Sequence, residues 1–244
     1  MISPFATIAS TSTPGADRPL PSAAGRLALE ASGRAYLVGI GGSGMSGAAE
    51  LLRARGYAVR GSDRSASPRT SRLNGLGIGV DVGDDAAPLP ADTTLVVATA
   101  AAAASHPQLV EARRRGLSVW KYADCVGALM AGRLGIAVAG CHGKTTTSSL
   151  VATTLWRAGR DPSFVIGGEV RDLGASARAG GGAHFVVEAC EYDRSFHRLA
   201  PTIGLVTNVD ADHLDYYRDL DEIREAFREF ARLLPAHGVL VVHE

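Results

Sequence analysis

Two glycine loops, each set between an apolar run and a helical pattern, constrain this chain more than anything else in it. The first is Gly39-Ile40-Gly41-Gly42-Ser43-Gly44. The second is Gly140-Cys141-His142-Gly143-Lys144-Thr145-Thr146-Thr147. Such a loop turns a buried strand into a helix and leaves unpaired N–H groups at the helix start, where they attract anions. Two of them in 244 residues predict two α/β units, each with its own phosphate-bearing ligand.

The pattern between the loops agrees. Ala35–Gly39, Ala58–Ser62, Gly77–Val80, Leu95–Thr99 and Leu117–Trp120 read as strands. Met45–Arg55, Thr70–Leu76, Pro107–Arg115 and Ala123–Met130 read as helices. Strands alternating with helices imply a parallel sheet covered on both faces. A second unit begins near Leu134, with strands at Gly135–Gly140, Ala183–Glu188 and Ile203–Asn208. Lys144–Ala158 is helical, and Leu220–Leu234 carries Ile223, Phe227, Phe230 and Leu234 on one stripe. Gly238–Val242 reads as a last strand. A domain that stops on a strand is expected to be cut short. The predicted division is a flexible tail over 1–32, with a short helix near Leu27–Glu30, then a nucleotide domain over 33–132 and a second over 133–244.

Charge excludes some classes. Lys+Arg and Asp+Glu balance at 25 each, so no basic excess points to nucleic acid. No apolar run is long enough to span a membrane, and the start Met-Ile-Ser-Pro lacks the pattern of a signal peptide. Cys125, Cys141 and Cys190 are odd in number and widely spaced. They suggest neither a disulfide framework nor a structural zinc site, and fit a reducing, cytoplasmic setting.

The first loop satisfies G-x-G-x-x-G, and Asp63 closes the second strand where such folds place a ribose-binding acid. By motif alone this is an NAD site, and the bland alternative is a glycine turn needed only for packing. In the second loop, backbone N–H groups can cradle phosphates, Lys144 can reach the β/γ-phosphates and a threonine hydroxyl can hold Mg²⁺. Position 138 is Val, so the loop is shorter than the general G-x-x-x-x-G-K-[ST] form. Glu188-Ala189-Cys190-Glu191-Tyr192-Asp193 and Thr207-Asn208-Val209-Asp210-Ala211-Asp212-His213-Leu214-Asp215 each follow a strand. Acids at strand ends beside a phosphate loop are natural Mg²⁺ ligands, although each taken alone also reads as a solvated turn or a helix cap. Glu188 and His213 together favour a site. His106, His184, His197, His237 and His243 have no such context.

Taken together, these motifs resemble the Mur ligases, ATP-dependent amide-forming enzymes of peptidoglycan synthesis. His142 before Gly-Lys-Thr-Thr-Thr is similar to the members that act on UDP-N-acetylmuramate itself. Ser43-Gly44-Met45-Ser46-Gly47 and Gly61-Ser62-Asp63 are similar to the alanine-adding members. The resemblance runs from about Tyr36 to the C-terminus. It implies a Rossmann-like, parallel-sheet UDP-binding domain followed by a partial P-loop α/β ATPase domain. In the first, Gly41, Gly42, Ser43, Gly44 and Met45 would contact the diphosphate, Ser62 and Asp63 would face the uridine, and Thr99 and Ala100 would line the same site.

In the second domain, Gly140, Cys141, His142, Gly143, Lys144, Thr145 and Thr146 would bind ATP. Thr145 and Glu188 would hold one Mg²⁺ and His213 a second, with His142 and Asn208 near the reacting carboxylate. The implied reaction converts the lactyl carboxylate to an acyl phosphate, which the amine of L-alanine then opens.

Cys141, Cys190, Tyr192 and the pair Gly83-Asp84 depart from the usual pattern, and Glu191-Tyr192-Asp193 is also similar to the recycling, murein-peptide members. Mur ligases carry a longer ATPase domain and a third domain after it. A partner chain supplying that part, and weak turnover by this chain alone, are therefore expectations. Two other readings stand beside the ligase: a non-catalytic UDP-sugar or nucleotide-binding module, and an NAD-dependent oxidoreductase, which lacks an acid–base residue for hydride transfer.

Overall fold

A computed structural model of the chain describes residues 7–10, 27–83 and 87–242. The rest of the expected tail, Asp84 and His243 lie outside the described residues. In chain order the strands are β1 (Thr7–Ser10), β2 (Arg34–Val38), β3 (Ala58–Asp63), β4 (Gly79–Val82), β5 (Leu95–Ala98), β6 (Ser118–Lys121), β7 (Leu134–Ala139), β8 (Ser163–Val170), β9 (Ala175–Arg178), β10 (His184–Glu188), β11 (Ile203–Val206) and β12 (Val239–Val242). The helices are α1 (Ser43–Ala54), α2 (Pro68–Gly75), α3 (Pro107–Arg114), α4 (Tyr122–Met130), α5 (Lys144–Arg157) and α6 (Leu220–Ala231).

Two units cluster separately. One holds residues 27–129 together with 167–179; the other holds 130–166 and 180–244, with β1. No helix among the described residues is long and apolar enough to cross a membrane.

In the first unit five strands lie in the order β4-β3-β2-β5-β6, and every pair is parallel. Chain order reverses at β2, so the loops after β2 and β5 leave a crevice at the carboxyl ends of the strands, the usual ligand position in such sheets. Helix α1 packs closely because its inner face is small: Ser46, Gly47, Ala48 and Ala49 are all buried. Helix α2 begins with a capping box, in which Ser67 Oγ accepts from Thr70 N–H and Thr70 Oγ1 accepts from Ser67 N–H, with Pro68 in the first turn. The core holds Tyr36, Val38, Val96 and Leu109. Tyr36 is buried, so its hydroxyl needs partners. It donates to Asp81 Oδ2 at 3.1 Å and accepts from Gln108 Nε2 at 2.9 Å. Burial raises the Tyr36 pKa and keeps the phenol protonated.

In the second unit the sheet order is β1-β12-β11-β7-β10-β8. All pairs with assigned register are parallel except β1 on β12, where Thr7 faces Val242 and Ser10 faces Val239. This strand lies where the sequence reading expected a tail, and Leu27–Glu30 forms no helix. Helix α6 is capped by Asp219, which accepts from Glu222 N–H at 2.9 Å. Its buried stripe is the expected one, with Ile223, Phe227 and Phe230 on the helix and Leu234 just past it. Phe230 stacks on Phe196 at 5.1 Å between ring centroids, and Phe196 stacks on His197 at 4.6 Å.

Removing the Phe230 ring leaves a cavity between α6 and the sheet. Phe230→Ala is expected to lower unfolding free energy by about 3–5 kcal/mol, read from urea denaturation. His197 supplies a pH test. Burial lowers its pKa from 6.5, against the opposing pull of Ala226 O and Glu229. The unfolded chain therefore binds the proton first as pH falls, and stability declines from pH 6.5 downward. Replacing His197 with Gln is expected to flatten that part of the profile of melting temperature against pH; an unchanged slope would count against the assignment.

Candidate functional site

The first loop follows β2 and opens α1. Gly42 caps the helix with no side-chain hydrogen bond, so the backbone N–H groups of the first turn face out. Asp63, at the end of β3, accepts the Gly41 N–H at 2.8 Å through Oδ2. One carboxylate oxygen is thus tied to the loop backbone, while Oδ1 takes Ser65 N–H at 3.3 Å. A Cβ on Gly44 would lie 2.6 Å from the Tyr122 ring, and one on Gly39, whose φ is +78°, 2.5 Å from Thr99 Cγ2. Thr99 and Tyr122 therefore fix the loop by close contact with glycines that accept no side chain.

Of the residues expected here, Gly41, Gly42, Ser43 and Gly44 form the loop, and Ala100 is exposed. Met45 is a core side chain at 3% exposure, so only its backbone faces the loop. The Ser62 side chain also turns inward, where its hydroxyl donates to Gln108 Oε1 at 2.6 Å. What Ser62 offers the loop is its carbonyl, which accepts from Gly39 and Ile40 N–H at 2.8 and 3.0 Å.

The second loop follows β7, which is hydrogen-bonded to β10 on one side and β11 on the other. Residues after all three strands therefore meet at one place. Gly143 turns the chain into α5 at φ +80°, again without a capping side chain. The loop is held from β11. Asn208 Oδ1 accepts His142 N–H at 2.9 Å, and its Nδ2 donates to His142 O at 3.0 Å. Thr207 Oγ1 donates to the same carbonyl at 2.6 Å. Cys141 Sγ accepts from Asp210 N–H at 3.2 Å and donates to Asp210 O at 3.3 Å. Burial raises the Cys141 pKa, so the thiol stays protonated. The His142, Thr145 and Thr146 side chains are exposed at the mouth of the loop.

Thr145 Oγ1 lies 3.0 Å from both oxygens of Glu188. Lys144 Nζ folds back onto Gly140 O at 2.6 Å and Cys141 O at 3.2 Å, and donates to Glu191 Oε1 at 3.0 Å. It is equally close to Glu191 Oε2, but that oxygen receives no directed hydrogen bond. Glu191 is 1% exposed, against 14% for the Lys144 side chain. The Nε2 of His213 stands 3.4 Å from Glu191 Oε1. Glu191, Asp212 and His213 each place one ligand atom within 4.8 Å of the others. Tyr192 meets the His213 ring edge-on at 5.1 Å, and the buried Tyr217 hydroxyl donates to Glu191 O at 2.5 Å.

Backbone strain marks the same place. Asp193, Arg194 and His213 all have positive φ, at 50°, 57° and 54°. Such values in non-glycine residues persist only when surrounding contacts impose them. Arg194 supplies contacts of that kind, bonding Glu222 at 3.0 Å and Glu229 at 3.2 Å on α6.

The structure thus brings His142, Lys144, Thr145, Glu188, Asn208 and His213 to one end of one sheet. Sequence reasoning had assigned no role to Glu191, Asp212, Thr207 or Tyr217. Glu191 and Asp212 were visible only as members of acidic turns, and neither burial nor the turn of Lys144 toward Glu191 is written in the motif.

Comparison with known proteins gives two matches in sequence order: the Mur ligase family catalytic domain over residues 34–134 and the Mur ligase middle domain over 138–244. UDP-N-acetylmuramate–L-alanine ligase of Methylibium petroleiphilum is 48% identical over 208 residues, covering 85% of this chain and 44% of the relative. The same-named enzyme of Salinispora tropica is 46% identical over 220 residues, covering 90% and 43%. The chain spans less than half the length of the curated relatives it matches. Among solved structures, the UDP-N-acetylmuramate:L-alanyl-γ-D-glutamyl-meso-diaminopimelate ligase of Neisseria meningitides aligns with a TM-score of 0.78. It is 29% identical and covers 87% of this chain and 72% of that one. A UDP-N-acetylmuramate–alanine ligase from Thermotoga maritima aligns with a TM-score of 0.74 at 30% identity, covering 83% and 47%.

The Asn208 bracket around His142 is open to a test that needs no ligand. Asn208→Ala removes the only side chain that both donates to and accepts from the His142 backbone among the described residues. A net value near 1 kcal/mol per hydrogen bond predicts amide exchange at His142 faster by roughly five- to tenfold, with β7 protection unchanged.

Proposed function

The chain belongs to the Mur ligase family, and on that premise we propose that it carries the sugar-nucleotide and ATP sites of a ligase. The ligase joins L-alanine to UDP-N-acetylmuramate. The observation that carries this reading is the grouping of Lys144, Thr145 and Glu188 at an uncapped helix start, with another glycine loop opening an uncapped helix in the separate first unit. Two anion sites suit a reaction that needs two nucleotides.

In this reading the α1 N-terminus takes the UDP diphosphate on its free N–H groups, and Asp63 holds Gly41 in the shape that admits it. The α5 N-terminus takes the phosphates of ATP, with Lys144 as the point charge. Mg²⁺ prefers oxygen ligands: Thr145 with Glu188 supplies a hydroxyl and a carboxylate, and Glu191 with Asp212 supplies two carboxylates beside the His213 nitrogen. Bound there, Mg²⁺ would offset the repulsion between a carboxylate nucleophile and a triphosphate.

The chain's residues then position rather than react. Thr207 and Asn208 fix the loop, and α5 directs its N–H groups at the phosphates. The lactyl carboxylate attacks the γ-phosphorus and ADP leaves; the amine then attacks the acyl carbon, the acyl C–O bond breaks and inorganic phosphate leaves. The further sequence that the relatives carry beyond the matched region completes the amino-acid step, either in the same polypeptide or in a partner chain. Free nucleotide substrates place the reaction in the cytoplasm.

Tyr192 favours one second reading. It stands between Glu191 and Asp193 and edges onto His213, which suits an acceptor larger than one amino acid, such as the tripeptide of the murein-peptide ligases.

Isothermal titration checks the two sites separately. UDP-N-acetylmuramate is expected to bind the purified chain, and Asp63→Ala to weaken that binding by about tenfold, one hydrogen bond to a charged group. Lys144→Met is expected to remove MgATP binding and leave sugar-nucleotide binding in place. A folded chain that binds NAD and not UDP-N-acetylmuramate would overturn the proposal. Phosphate release from ATP with L-alanine, glycine, serine or tripeptide supplied in turn decides the acceptor.

A further inference from the structure

An ammonium group has three N–H donors. In Lys144 all three have acceptors inside the protein: Gly140 O at 2.6 Å, Cys141 O at 3.2 Å and Glu191 Oε1 at 3.0 Å. A lysine in this state has no donor left for a phosphate, so one contact must open before it can act on a nucleotide. The two carbonyls belong to the loop itself and move with it. Glu191 is the separable partner.

Glu191 also has somewhere else to go. It is 1% exposed, so its charge must stay paired. One oxygen receives no directed hydrogen bond. His213 Nε2 stands 3.4 Å from Oε1, the same oxygen that accepts from Lys144, and Asp212 lies beside it. The three ligand atoms span 4.8 Å, close to the roughly 4.2 Å between opposed oxygens around Mg²⁺.

We propose that Glu191 exchanges partners. Without nucleotide it holds Lys144; when a divalent cation enters between Glu191, Asp212 and His213, the carboxylate turns to the cation and releases one Lys144 donor toward the phosphate chain. Cation entry and readiness of the lysine are then a single event, and neither charge is left buried alone. This rests on reading the second loop as an ATP site and adds a positioning role for Glu191.

Linkage makes the exchange measurable, because two partners competing for one carboxylate weaken each other reciprocally. Mn²⁺ binding to the full chain is followed by electron paramagnetic resonance with no nucleotide present. Glu191→Gln is expected to weaken binding at least tenfold. Lys144→Met, which removes the competitor, is expected to tighten it about tenfold, and that gain is expected to vanish in the double variant. Unchanged or weaker binding in Lys144→Met overturns the proposal. So does a gain that survives in the Glu191→Gln background, which would reflect simple charge repulsion. Far-ultraviolet circular dichroism checks folding. If Glu191→Gln does not fold, Asp212→Asn at a half-exposed position takes its place and must weaken Mn²⁺ binding; unchanged affinity there overturns the proposal as well. No ATP or sugar nucleotide enters these measurements, so failure here leaves the ligase reading standing, and failure of that reading leaves this result intact.

Discussion

The hydrogen bonding of β7 to two parallel neighbours is the constraint on which the rest of the nucleotide-binding end depends. Parallel register sets Glu188 opposite Val138 and Val206 opposite Ala139. The residues that follow these strands must then emerge side by side. Neither neighbour is next to β7 in sequence, so no local pattern brings them there. The sheet is what converts three distant segments into one cluster. Lys144, Glu191 and His213 come from three different strand ends for this reason, and a slip of one residue at either edge of β7 would turn the acids to the opposite face.

The same geometry is used differently in the first unit. There β2 lies between β3 and β5, and the loop after it is again rich in glycine. Its neighbours present hydrogen-bonding groups rather than a charge pair. The Ser62 carbonyl takes two loop N–H groups, Asp63 takes a third, and Thr99 closes on Gly39. The outcome is a loop whose shape is fixed from the ends of β3 and β5 and whose remaining N–H groups are left to a ligand. An anion there meets backbone dipoles alone, whereas an anion at the second loop meets a lysine that is already paired.

Most of the fold was legible because each strand and helix carries a local reason. The Ile223, Phe227, Phe230 and Leu234 stripe, the Gly143 turn and the Gly56 stop after α1 are written in residue type and spacing. Strands β8 and β9 were not read. Gly167 and Gly168 interrupt the apolar run of β8, and β9 is Ala-Ser-Ala-Arg, which has no strand signature of its own. It is a strand because β8 and α1 accept it. The pairing of Thr7–Ser10 with β12 is likewise a long-range event that the polar, proline-rich start conceals. At the site, spacing supplied the ligand types but not their burial. Glu191 and Asp193 look alike in sequence, yet one is sealed under Lys144 and Tyr217 while the other lies in a strained turn.

The loop after β11 is bound to the phosphate loop more firmly than a shared location requires. Asn208 brackets His142, Thr207 holds the same carbonyl, and Cys141 exchanges two contacts with Asp210. A thiol can donate to a carbonyl only while it carries its proton, and burial keeps it so. Cys141 therefore does the bridging work of a hydroxyl with a softer, longer bond. Asp210 is three residues before His213, so these contacts link the position of His213 to that of the phosphate loop. If Glu191 turns from Lys144 to a cation held by His213, the loop that must grip phosphate is already fastened to the residue that receives the cation. The coupling needs no moving domain, only a carboxylate that changes neighbour within a frame of hydrogen bonds fixed on both sides.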